Sequence, residues 1–221
     1  MVRKVNFVRF ILLFLAAVYT LFVHNDLSFG TLQFGRVKYQ EEIYLGLGAV
    51  MVVLSVLSMQ NRWMGVSIFG RKKSKYNFIY DEPIGNSGFK WQLVFSMLEL
   101  LFLGLFGYYF IVTHRYADLL GIVLILWGVE QLLFLLINRN KLRVAVSENM
   151  VVFSGRQINI YPIKGLNEIE RSFDKLMYRY KSGAVKPFPY YVISSKNKKE
   201  FNKTLKQQAD NKNIIVHGLV D

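Results

Sequence analysis

The chain has 221 residues, 52% hydrophobic and 15% aromatic, with 28 Lys and Arg against 15 Asp and Glu and a formal charge of +13. It has no cysteine, which excludes disulfides, thiolate metal sites and a cysteine nucleophile, and its three histidines (His24, His114, His217) leave little for an imidazole-rich centre. Its apolar residues fall in four blocks within the first 137 positions, and the remainder carries 16 Lys and Arg with 7 acids, a partition that excludes one uniform soluble core.

The first block, "FILLFLAAVYTLFV" at 10–23, follows Arg9. It needs the preceding turn to approach the ~20 residues that a bilayer asks for, which gives a span of about 6–23. "MVRK" ahead of an apolar run containing "LAAVYT" also fits a signal peptide. His24 and His114 fall at the outer ends of their spans, close enough in topology to raise a two-histidine metal site against the commoner interfacial placement of polar residues. The second span is 43–59, "IYLGLGAVMVVLSVLSM".

A loop at 60–92 follows. Its "RKKSK" run (Arg71, Lys72, Lys73, Lys75) is flanked by aromatics and suits anionic headgroups, at about 1 kcal/mol per basic residue near the surface. Ordinary positive-inside topology accounts for the same charges. "DEPIGNSG" reads as turn chemistry that stops any helix before the third span, and its "GNSG" lacks the Lys and Ser/Thr of a phosphate-binding loop.

Spans three and four, 93–113 and 119–137, are joined by "HRYAD" and therefore form an antiparallel hairpin. Lys and Arg number three before span one, six in the 60–92 loop and three in "NRNKLR", against two and one in the intervening segments. The basic segments share one side, the cytoplasm, with both termini there. Glu99 then lies roughly 9 Å in from the cytoplasmic end of span three and Glu130 roughly 10 Å in from that of span four, at ~1.5 Å per residue. Helical rotation sets Ser96 beside Glu99, and Trp127, Gln131 and Phe134 beside Glu130, with Gly121 and Gly128 on the opposite face for close helix packing. Ionised acids at that depth cost about 2.5–3.5 kcal/mol each, so they are expected to pair with Arg9, to share a proton or to meet a partner subunit.

From Lys141 the pattern changes to period two. "KLRVAVS" and "MVVFSG" form a hairpin, and "QINIYPIKGLNEIERSF" alternates through Ile158, Ile160, Ile163, Leu166 and Ile169. "KLMYRYKSG" and "FPYYVISS" read as two more strands, with "SGAVKPFP" as the turn between them. "KNKKEFNKTLKQQADNK" is helical, with Phe201, Leu205 and Ala209 on one face, and "NIIVHGLV" closes the chain as a strand.

Residues 144–205, above all "INIYPIKGLNEIERSFDKLMYRYKSG", resemble a bacterial pleckstrin-homology-like domain, with Tyr161 where a Trp is common and Ile163 and Ile169 beyond it. Two features depart from that family: the region is compact for the fold, and a segment follows the helix. The resemblance implies an antiparallel sheet or partial barrel closed by a C-terminal amphipathic helix over 141–221, acting as a membrane-anchored binding or assembly module. Lys175, Arg179, Lys181 and Lys186 are expected around the "KSGAVK" turn, as an anionic-lipid or partner contact or as plain basic surface.

The expected fold is thus a four-helix transmembrane bundle followed by a small α+β cytoplasmic domain. No catalytic motif, metal spacing or cofactor loop appears, and the charge lacks any nucleic-acid motif. The expected role is a non-catalytic adaptor or accessory subunit, binding anionic lipid and a protein partner or further copies of itself. The alternative is a small oligomeric proton or cation transporter or channel using Glu99 and Glu130; a membrane-embedded enzyme would need more clustered polar groups. Abundant Lys, Asn, Ile, Phe and Tyr, with the bacterial-type tail, point to a bacterial cytoplasmic membrane.

Overall fold

The computed structural model describes residues 2–25, 28–29, 32–33, 39–69, 76–113 and 115–219; of residues 2–7, 9, 28, 29, 32 and 33 only the backbone is described. Arg71, Lys72, Lys73, Lys75 and His114, and the side chain of Arg9, lie outside the described residues. Contacts divide the chain into two compact units, residues 1–61 with 95–134 and residues 62–94 with 135–221.

Three described helices are long and apolar enough to cross a membrane: α2 (Gln40–Phe69), α3 (Asn86–Thr113) and α4 (Asp118–Ile137). Four were expected. The first helix, α1, covers Val2–His24, and its described apolar stretch is Phe10–His24, shorter than a bilayer crossing needs. Between α1 and α2 lies a two-stranded ribbon of β1 (Ser28–Phe29) and β2 (Leu32–Gln33). Glu41 and Glu42 open α2 and Asp118 opens α4, which places acids at the positive ends of those helix dipoles.

The helical unit has an apolar centre of Ala16, Tyr44, Met51, Leu103, Phe110, Leu120, Leu124 and Trp127. Its outward positions, such as Phe102, Leu105, Leu126 and Leu133, are apolar and exposed, as a lipid-facing surface requires. Helices α3 and α4 approach through glycine. A Cβ on Gly107 would lie 2.6 Å from the Gly121 carbonyl oxygen, and one on Gly121 would lie 2.5 Å from the Gly107 carbonyl oxygen. Seven residues along each helix, Gly128 faces Leu100 in the same antiparallel register. Apolar association between helices gains little in lipid, so backbone approach and van der Waals contact must supply the attraction.

The mixed unit contains two four-stranded sheets. The first has the order β3 (Tyr80–Pro83), β4 (Arg143–Val146), β5 (Met150–Ser154), β6 (Ile158–Pro162), antiparallel throughout. The second has β7 (Leu166–Ser172), β8 (Lys175–Tyr180) and β9 (Val185–Pro189) as an antiparallel meander. Strand β10 (Ile215–His217) adds to it parallel to β7. Helix α5 (Lys198–Asp210) buries Phe201, Leu205 and Ala209, the face its spacing predicts.

Three details differ from the sequence reading. The "DEP" of "DEPIGNSG", read as turn, belongs to strand β3, drawn from the inter-helix loop into the sheet beside β4. "VKPFP", also read as turn, is strand β9, and the turn lies before it at residues 181–184. "FPYYVISS", read as strand, supplies the end of β9 and then the 3₁₀ turn Tyr190–Val192.

Aromatic rings fill the core of this unit. Phe188 is fully buried and meets Phe153, Tyr161, Tyr178 and Phe201 at centroid separations of 5.5–6.2 Å. The end of α2 covers the first sheet: Ile68 and Phe69 join Ala145, Val152 and Ile158 in one apolar cluster.

Candidate functional site

Polar side chains inside the apolar helices are the natural place to look for function, because each must repay its removal from water. In the helical unit the Gln131 side-chain amide donates to Glu99 Oε1 at 2.9 Å, joining α4 to α3. Gln131 is 5% exposed and Glu99 half-buried. Ser96 and Trp127, one turn away on their helices, are buried with them. Glu130 is half-buried one residue from Gln131. The partner brought to Glu99 is therefore the amide of Gln131, which the sequence reading had placed beside Glu130. An amide donor satisfies a carboxyl oxygen whichever protonation state the acid adopts, and it ties the two helices together.

A second polar link went unnoticed in the sequence. Tyr44 on α2 donates its hydroxyl to Thr20 Oγ1 at 2.9 Å, and Thr20 donates in turn to the Ala16 carbonyl at 2.8 Å. Both residues are fully buried. Thr and Tyr are common in spanning helices, so nothing in their spacing marked them as a pair. Beside this link, α1 and α3 enclose a groove of about 510 Å³, with Leu13, Ala17, Phe102, Phe106 and Tyr109 among its lining residues. That lining provides shape and almost no hydrogen bonding.

In the mixed unit three of the four expected basic residues, Arg179, Lys181 and Lys186, lie at the β8–β9 turn, and Lys175 lies at the other end of β8. Lys175 opens β8 opposite Ser172, and Lys181 follows the far end of that strand, roughly 20 Å away at ~3.3 Å per residue. Arg179 contacts acids: its Nη2 lies 2.7 Å from Glu170 Oε2 and its Nε 3.8 Å from Glu168 Oε2. The hydrogen bond and charge of Glu170 raise the Arg179 pKa above its ordinary value. His217 Nε2 lies 3.4 Å from Glu168 Oε1, so polar contacts run across β8, β7 and β10. Lys186 lies 5.4 Å over the Tyr180 ring.

Edge strand β3 is held by charge as well as by its ladder. Arg143 donates to Asp81 Oδ1 at 2.5 Å and to the Asp81 carbonyl at 2.8 Å. Asn197, just before α5, donates to Glu82 Oε2 at 3.1 Å. Burial, then the nearby Glu82 and Glu200 carboxylates, push the Tyr80 phenol well above its usual range. The fully buried Tyr178 is raised too, first by burial. These shifts keep both phenols neutral in the core; they belong to packing rather than to acid–base chemistry. No group of three or more His, Asp or Glu placed to hold a metal ion occurs among the described residues.

No family model, curated protein or solved structure matches the chain.

Proposed function

We propose that this chain is a non-catalytic multi-pass membrane protein, an adaptor or accessory subunit whose soluble unit presents a binding surface at the cytoplasmic face of a bacterial membrane. The reading has α1 as a fourth span and both termini in the cytoplasm. It takes the two sheets closed by α5 as a variant of the pleckstrin-homology-like architecture. Support comes from the way the soluble unit is built. It draws on two separate stretches, residues 62–94 and 135–221, and pairs β3 of the first with β4 of the second. A module stitched from an inter-helix loop and the following segment is held by several chain connections, which suits a rigid platform better than a tethered sensor. The Gln131–Glu99 bond fits a structural role for the intramembrane acid.

The test is the mass of the native assembly. The full chain, extracted into native nanodiscs without detergent, is expected in a stoichiometric complex with another membrane protein. A homogeneous monomer would contradict the adaptor reading.

A further inference from the structure

Phe173 is 95% exposed, more than any other large hydrophobic residue described. It occupies the two-residue turn between β7 and β8, where Ser172 pairs with Lys175, and its φ is +49°. That backbone region favours Gly or Asn, and a bulky ring is unusual there. The turn at the other end of β8 places Gly183 at φ +78°. A ring at the tip thus serves neither the backbone nor solubility.

The tip is also basic. Arg171 and Lys175 flank it and are exposed. The Arg171 guanidinium sits 5.0 Å over the Tyr190 ring, and Lys198 Nζ lies 4.9 Å over the same ring. Two cations thus lie in the strand ends beside Phe173 and a third over the ring of Tyr190, whose amide bonds the turn, with Asp174 as the acid of the turn.

Hydrogen bonds fix which end of the unit this tip occupies. The Tyr190 amide donates to the Asp174 carbonyl at 2.8 Å, and the Val192 carbonyl accepts from the Gly85 amide at 2.7 Å. Tyr190 and Val192 are two steps apart in a 3₁₀ turn, about 4 Å of rise. Gly85 immediately precedes α3, and the first turns of α3 expose Lys90 and Trp91, a pairing suited to a membrane–water boundary. The Phe173 tip thus lies at the end of its unit where a spanning helix begins.

We infer that the β7–β8 tip docks on the anionic surface of the membrane crossed by α3, with Phe173 entering the interface and Arg171, Lys175 and Lys198 meeting lipid phosphates. The inference rests on the membrane-spanning reading above. A soluble anion would use the cations and leave the ring in water. An anionic bilayer uses both, since each basic residue near such a surface is worth about fivefold in partition and burying a Phe ring about tenfold or more.

The absence of cysteine makes single-site labelling clean. The full chain would carry one fluorophore at Ser172→Cys, leaving Phe173 intact, or at Ala184→Cys in the opposite turn, or at Leu105→Cys on exposed α3. Each would be placed in nanodiscs of anionic or zwitterionic lipid bearing acyl-chain quenchers. Quenching is expected at 172 and 105 in anionic discs and not at 184. Neutralising Arg171, Lys175 or Lys198 to Gln should lower the docked-to-free ratio at 172 about fivefold each, and Phe173→Ser about tenfold. Quenching at 105 with none at 172 would overturn the docking and leave the spanning reading intact. Loss of quenching at 105 would overturn the spanning reading and the docking with it. Protection of 172 from aqueous thiol reagents in native membranes, without lipid quenching, would overturn it in favour of a protein partner.

Discussion

The two units reach close packing by opposite means. The helical unit removes side chains: Gly107 and Gly121 bring backbones together, and Gly128 admits Leu100. The mixed unit adds them, with Phe188 packed among Phe153, Tyr161, Tyr178 and Phe201. Solvent explains the difference. In water, burying large rings is the main source of stability; in lipid, that gain vanishes and only tighter contact and polar links remain.

The largest expected effect is in the aromatic core. Phe188→Ala should cost about 3–5 kcal/mol and unfold the mixed unit, read as new protease sensitivity in residues 141–221. Next comes the glycine seam. Gly121→Ala would set a methyl against the Gly107 carbonyl and should cost about 1–3 kcal/mol of helical-unit stability in detergent melts. Gly104→Ala, with nothing within 4 Å of its added Cβ, is the matched control and should be neutral or slightly stabilising. Equal losses at both positions would break the comparison. Gln131→Leu should cost about 0.6–2 kcal/mol by removing the donor to Glu99.

A smaller effect sharpens the account of the aromatic core. The Tyr178 hydroxyl makes no hydrogen bond among the described residues, and burial raises its pKa above the ordinary 10.0. The folded state therefore keeps the phenol proton at pH values where the unfolded chain loses it. That stability is present below about pH 10 and is lost as pH rises further. Tyr178→Phe should leave denaturation near pH 7 almost unchanged and flatten the loss of stability above pH 10. Arg179→Gln should be smallest of all, because its ion pairs are exposed and screened.

Hydropathy made α2, α3 and α4 legible, along with the glycine face of α4. It could not choose Gln131 over Glu130 as the contact to Glu99, because that depends on helix rotation within the hairpin. The strand errors share one cause. Strands β3 and β9 both carry proline and both lie at sheet edges, where a missing amide is tolerated. Edge strands therefore have the composition of turns, and only their pairing identifies them. Of the Lys175, Arg179, Lys181 and Lys186 grouping only Lys175 is set apart, because it opens β8 while the turn closes that strand, and cross-strand acids engage Arg179.

The mixed unit is one body assembled from the inter-helix loop and the segment after α4. Amide hydrogen exchange of the full chain in nanodiscs tests it most directly at Ile79 and Ile84, which donate to the Val146 and Leu142 carbonyls. These amides are predicted to exchange as slowly as those of β4 and β5 and to accelerate together with them in Phe188→Ala. Fast exchange at residues 79–84 beside a protected β4–β6 sheet would contradict that assembly.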